Sequence, residues 1–213
     1  MTRQALTTLA LLAASVAVAE AAPRKWTLDL GHAHIGWEID HLGLSRTVGR
    51  FNSFDGTFLI DEETPENSQV TFTLDAASVD SNHAARDSHL RHSDYLNVEE
   101  HPQITFVSER VVMLTPTAGK LHGALTLRGQ TAPLVLDFRI TRDRVYPEFI
   151  PGYDEIRVVG FEVEGEVLRL DHGMDFIAFL DSPTGLSVRI DAHFDLVDCT
   201  GVPGANVPCT WGR

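Results

Sequence analysis

The feature that most limits what this chain can fold into is a two-residue alternation. In FEVEGEVLRLDHG, residues 161–173, Phe161, Val163, Gly165 and Val167 alternate with Glu162, Glu164 and Glu166. That pattern predicts a β-strand with one dry face and one wet face. Arg169 stands two residues further along the dry face, so a guanidinium closes its apolar side.

The same period recurs along the chain. Trp37, Ile39 and His41 share a face opposite Glu38 and Asp40, and Phe54, Gly56, Phe58 and Ile60 share one opposite Asp55 and Thr57. Val70, Phe72 and Leu74 alternate with Thr71 and Thr73, and Ile104 and Phe106 flank Thr105, although Val107 blurs that strand. Leu125 and Leu127 follow, then Leu134, Leu136, Phe138 and Ile140, and finally Leu186, Val188, Ile190, Ala192 and Phe194. Together these predict about eight strands, and EETPENS, TPTAGK, RGQTAP and DSPTG supply turn chemistry between them. No G-x-G-x-x-G and no regular βαβ rhythm is present, which argues against a doubly wound fold.

The exception is SVDSNHAARDSHLRHSDYL, where Asp80 or Ser81 is placed to cap a helix. It predicts one or two short helices between the third and fourth strands. The fold class is therefore all-β and antiparallel. Eight such strands stack as a sandwich or close into a barrel, and only closure removes the sheet edges. An eight-stranded barrel either fills itself with side chains or holds one small ligand. Its inner face would carry Phe58, Phe72, Phe106, Phe138, Phe161 and Phe194 beside Gly56 and Gly165. Inward glycines that leave space favour a cavity; glycines that mark bulges favour a packed core. The residues leave both open.

The ends of the chain read differently. A basic start followed by the apolar run Ala5 to Ala19 and the small residues of AVAEAA predicts a cleaved secretory signal over residues 1–21, hence export to the periplasm. Residues 22–198 then form one domain, and residues 199–213 a tail. The run is short for a membrane span, and no other segment approaches the ~20 apolar residues such a span needs. Cys199 and Cys209 bracket TGVPGANVP, and in an oxidising compartment they are expected to form a disulfide. A redox pair is disfavoured because the spacing is not C-x-x-C. The formal charge of −13 argues against nucleic-acid partners and anionic surfaces.

Several stretches resemble the YceI-like family: WTLDLGHAHIGWEIDHLGLS, VGRFNSFDGTF, ASVDSNHAARDSHLRHSDYLNVEEHPQITFVSERV, LHGALTLRGQTAPLVL and LRLDHGMDF. The order of charged, aromatic and proline residues in RDSHLRHSDYLNVEEHPQITF is the most specific part. The resemblance spans about Trp26 to Leu196. It implies a lipocalin-like β-barrel with a helical insertion, in a family of periplasmic lipid- or polyisoprenoid-binding proteins. It also implies a non-enzymatic carrier holding an isoprenoid such as a quinone or polyprenyl phosphate, with no other cofactor, and suggests a homodimer. The chain departs from the family pattern at Ala33, where serine is common, and at Leu96, where a second aromatic often follows Tyr95.

On that implied fold, the lumen positions from the first strands are Trp37, Ile39, Phe54, Phe58, Phe72 and Leu74. The middle strands contribute Phe106, Leu125, Leu127, Leu136 and Phe138, and the last ones Phe161, Val163, Gly165, Val188 and Ile190. Arg169 falls on the arginine of a family motif, and a guanidinium at the rim is suited to a polar or phosphorylated headgroup. His41, Arg86 and Arg91 could assist it. The competing account of Arg169 is a surface residue or a partner for Asp87 or Asp171.

Histidine carries the main competing signal. His32 and His34, two apart on a strand, would point to one side and could hold a metal, with His83, His89 or His92 as a third ligand. The alternative function is thus a periplasmic metal- or haem-associated protein. A third is a stress-related binding module with a packed barrel. No G-x-S-x-G or zinc-enzyme motif points to catalysis.

Overall fold

The computed structural model describes residues 22–146, 156–175 and 185–200. They form one antiparallel sheet closed on itself. Strand β1 (Arg24–His41) runs the full height of the wall. It is followed by β2 (Ser45–Phe51), β3 (Phe54–Ile60), β4 (Gln69–Asp75) and the two-residue β5 (Val79–Asp80). After helix α1 (Ala84–Arg91) come β6 (Gln103–Thr115), β7 (Ala118–Leu127), β8 (Gln130–Val145), β9 (Arg157–Leu168) and β10 (Ser187–Asp198).

The ten strands make eight staves. β2 pairs with the C-terminal half of β1 and β3 with its first residues, so β2 and β3 are one broken stave. β5 pairs with β2 and β4 with β3, giving a second broken stave. The remaining strands follow in chain order, and β10 returns to pair with β1. Closure leaves no long edge to aggregate. The helical insert lies between the third and fourth staves, as expected from its sequence position.

Turn chemistry sets the registers. Leu127 pairs with Gln130, leaving Arg128 and Gly129 as a two-residue loop with φ of 52 and 70. Two positive φ values match the twist of a hairpin. Arg128 holds that conformation by donating to Gly173 O at 2.8 Å and Ser93 O at 2.9 Å. The exposed Val107 faces outward, which explains the break in alternation there.

The insert is capped otherwise than expected. His83, not Asp80 or Ser81, is the N-cap, and its Nδ1 accepts from Arg86 N at 3.2 Å. Asp80 instead closes a turn onto Asn82 N, and Ser81 donates through N and Oγ to the buried Asp87. No helix among the described residues is long and apolar enough to cross a membrane.

The barrel interior divides in two. At the end built from the start of β1 and the end of β10, aromatic rings fill the bore. Phe194 lies 5.7 Å from both Phe58 and Phe161, centroid to centroid, and 6.3 Å from Phe72. Trp26, Leu28 and Leu196 are buried below them. The opposite half is hollow. Of the two readings open for the inward glycines, neither Gly56 nor Gly165 leaves empty space, because each seats a neighbouring side chain. A Cβ on Gly56 would meet the Phe58 ring at 2.5 Å, and one on Gly165 would meet Leu136 Cδ2 at 2.4 Å.

Candidate ligand-binding site

The hollow half is a cavity of about 430 Å³, within the usual range of small-molecule sites. Its walls are strands and its cover is the insert. Trp37, Ile39, Phe58, Phe72, Leu74 and Phe106 line it, as do Leu125, Leu127, Leu136, Val163, Val188 and Ile190. The other four lumen positions expected from the alternation do not. Phe54 stacks on Phe72 at 5.8 Å and packs into the wall behind it. Phe161 lies behind Phe194, and Phe138 covers Gly119 near the filled end. Gly165 is roofed by Leu136. Alternation identifies the inner face but not the height at which packing gives way to space.

Other lining residues were not expected. Leu90, Tyr95 and Leu96 come from the insert, and Thr47 and Phe51 from β2. The signal for the first three was present: they are nearly the only apolar or aromatic side chains in a stretch of charges and histidines. Leu90 and Leu96 both pack against the core and line the cavity.

Of the four rim candidates, Arg169, His41 and Arg86 line the cavity. Arg91 does not. Its Nε and Nη2 donate to Ala77 O at 2.7 Å and Val79 O at 2.8 Å, so it fastens the insert to the barrel. Arg86 is partly committed too, donating to the Ser81 hydroxyl and carbonyl, both at 2.8 Å.

Arg169 has the most unusual environment. β9 ends at Leu168, and Arg169 opens a short 3₁₀ turn to His172. The turn nevertheless keeps Arg169 on the face of Val167, and both are buried. Its Nη2 donates to Gly185 O at 2.6 Å, while its Nε is buried with no acceptor among the described residues. Burial holds its pKa below the ordinary guanidinium value, and the Tyr95 phenol opposes that shift. Asp87, one proposed acid partner, is taken by Ser81. A guanidinium has five donors, and a buried one without a carboxylate is a strong anion acceptor site. The indole Nε1 of Trp37, also in the cavity wall, is a second buried donor without an acceptor among the described residues.

The histidines do not gather as expected. β1 bulges between Asp29 and His34, which breaks the two-residue period on which pairing His32 with His34 depended. His34 stacks on His193 at 4.9 Å, and burial, then His193, lower its pKa. His32 turns to Asp29, whose hydrogen bond raises its pKa. His83 caps α1 and His89 packs edge-on against Tyr95 at 4.8 Å. Cys199 lies beside the buried Ile156, Val158 and Val197 on the outer wall; Cys209 is outside the described residues. The signal segment also lies outside them.

A closed barrel with an apolar bore and a buried arginine in its wall has relatives. A UPF0312 protein of Pectobacterium atrosepticum is 44% identical over 166 residues, covering 78% of this chain and 82% of that protein. BcnA of Burkholderia cenocepacia shares the fold with a TM-score of 0.68 at 18% identity, over 79% of this chain and 98% of that one. A domain from Saccharophagus degradans, described as a polyisoprenoid binding domain implicated in plant cell wall breakdown, matches with a TM-score of 0.55 at 12% identity, over 80% and 97% of the two chains. The model of the YceI-like domain matches residues 26–196, which include every stave of the barrel and both halves of its bore, so the chain belongs to the YceI-like family.

Proposed function

We propose that this protein is a binding and carrier protein for an amphiphile with an isoprenoid or similar apolar tail and an anionic headgroup, exported to the periplasm. The observation that carries the reading is the pairing of an apolar cavity of about 430 Å³ with the buried Arg169 in its wall, a guanidinium that meets no carboxylate among the described residues. The family and the polyisoprenoid-binding neighbour support it.

Magnitudes separate the two parts of the site. Each buried methylene is worth ~0.8 kcal/mol, so a five-carbon unit contributes a few kcal/mol. Several units offset the ~4–15 kcal/mol lost on association. A hydrogen bond to a charged group adds ~1.5–3 kcal/mol. The tail sets affinity, and Arg169 sets orientation and headgroup preference.

Native mass spectrometry of protein purified from its own periplasm tests this. The expected spectrum contains a lipid-sized adduct that organic extraction removes and polyprenyl phosphate restores. Extracted protein that stays folded yet takes up neither polyprenyl phosphate nor polyprenol would defeat the proposal.

A further inference from the structure

A second cluster lies on the outer wall, away from the cavity. Asp29 on β1 and Asp195 on β10 are direct partners across the antiparallel pair. Like charges placed opposite one another repel. Asp29 is moreover fully buried, at 0% exposure. Its Oδ1 accepts from Gly31 N at 3.0 Å and its Oδ2 meets His32 Nδ1 at 2.8 Å. Asp195 is half-buried and accepts no hydrogen bond from any described residue.

The backbone is shaped around this pair. From Asp29 to His34, β1 takes five steps while β10 takes two, from Asp195 to His193. A bulge interrupts the ladder and re-aims side chains. Here it folds Leu30, Gly31, His32 and Ala33 over Asp29, burying that carboxylate and bringing the imidazole back to it. Leu30 and Ala33 anchor the bulge by packing against the core. The result is one imidazole nitrogen and two carboxylate oxygens, all within 4.8 Å of one another. The imidazole is half exposed, so the cluster opens toward solvent on that side.

The geometry points to a divalent transition-metal site formed by Asp29, His32 and Asp195, taking a Zn²⁺-class cation outside the lipid cavity. The donor set fits that class. Zinc binds imidazole and carboxylate at ~2.0–2.2 Å, and three protein ligands with water in the fourth position is a recurring arrangement. Donors within 4.8 Å need only small side-chain rotations to close on one ion. A dication also answers the electrostatic problem, since one protonated histidine neutralises only one of two facing carboxylates. Mixed imidazole and carboxylate donors favour Zn²⁺, Ni²⁺ or Cu²⁺ over Mg²⁺ and Ca²⁺, which prefer oxygen shells. The site is independent of the lipid reading, and neither requires the other.

The test uses the full-length mature protein stripped with chelator. Zn²⁺ is titrated by calorimetry, and Co²⁺ substitution reports coordination through its visible spectrum. The expected result is one saturable site per chain, with binding weakened at least tenfold in both His32→Gln and Asp195→Asn and kept in His34→Gln. His32 is on the surface, so His32→Gln is expected to fold normally; circular dichroism checks each variant. A rise in melting temperature with Zn²⁺ in wild type, absent in His32→Gln, is the second readout. Absence of saturable binding overturns the proposal. So does binding that survives both His32→Gln and Asp195→Asn, which would assign the ion to other histidines.

Discussion

Arg169 places a charge where charge is unfavourable. Its environment lowers its pKa, and no carboxylate among the described residues offsets the burial. A residue kept for stability would have been given a partner, because an unpaired buried charge destabilises the fold. Arg169→Met retains much of the apolar stem and removes the charge. It loses one bond to Gly185 O but also relieves desolvation, so the melting temperature of the lipid-free protein is expected to stay within a few degrees of wild type. Binding of polyprenyl phosphate is expected to weaken about tenfold or more, from the ~1.5–3 kcal/mol of a charged hydrogen bond. Binding of a neutral polyprenol of equal length is expected to change far less. Fluorescence titrations with both lipids make the comparison, and equal losses for the two would assign Arg169 a structural role. Its position in the sequence continues the dry face, and it is buried beside Val167 on that face. What no pattern conveyed was that a 3₁₀ turn, not the strand, keeps it there.

At the level of elements, the strands were legible and the departures from them were not. Alternation follows from burying one face of a pleated sheet, so it marks β3, β4, β7, β8, β9 and β10 directly. The bulge in β1 leaves no comparable signature, because GHAH alternates no differently inside a bulge than inside a strand. The glycines left two readings open for a related reason: sequence records the missing Cβ but not the neighbour that fills its place. The insert shows how polar residues hold an apolar cover. Asp87 is buried and accepts from Ser81 N at 2.8 Å and from its hydroxyl. Arg91 ties the same helix to Ala77 and Val79. Asp87→Ala would leave buried donors unpaired, at about 1–3 kcal/mol, and that loss falls on the segment carrying Leu90, Tyr95 and Leu96. The expected outcome is a faster release of bound polyprenyl lipid with the barrel itself intact. Stopped-flow displacement measures the release rate, and hydrogen exchange checks that new opening is confined to residues near α1. Unchanged release in a variant whose insert exchanges faster would mean that α1 is not the cover.

The whole molecule combines a packed half with a hollow half, and the two answer different needs. The aromatic cluster around Phe194 and the residues below it supply buried area without a ligand, so the barrel need not collapse when empty. The hollow half gives up packing that a filled core would have, and a ligand restores it. A lipid bound to the folded state alone therefore raises stability, by ~2.7 kcal/mol at one hundred times its dissociation constant. For a chain of this size that corresponds to roughly 5–10 °C, at ~2–4 °C per kcal/mol. Filling the cavity by mutation is expected to remove this response. Gly165, although on the inner face, is the wrong place to do so, because a side chain there would drive into Leu136. Ala192 is a small side chain in the cavity wall, flanked by its cross-strand neighbours Val163 and Ile35. Ala192→Leu is expected to leave the melting temperature of the lipid-free protein unchanged or slightly raised, while the increase on adding polyprenyl phosphate is largely lost. Ala192→Ser, which adds almost no volume, serves as the control and is expected to keep most of the increase. Thermal melts of the three proteins, each with and without lipid, distinguish the outcomes. A full lipid-dependent increase in folded Ala192→Leu would mean that the tail lies elsewhere than in this cavity. A large drop in its lipid-free melting temperature would mean that the upper bore is already packed at this position, since overfilling a tight core costs about 1–3 kcal/mol.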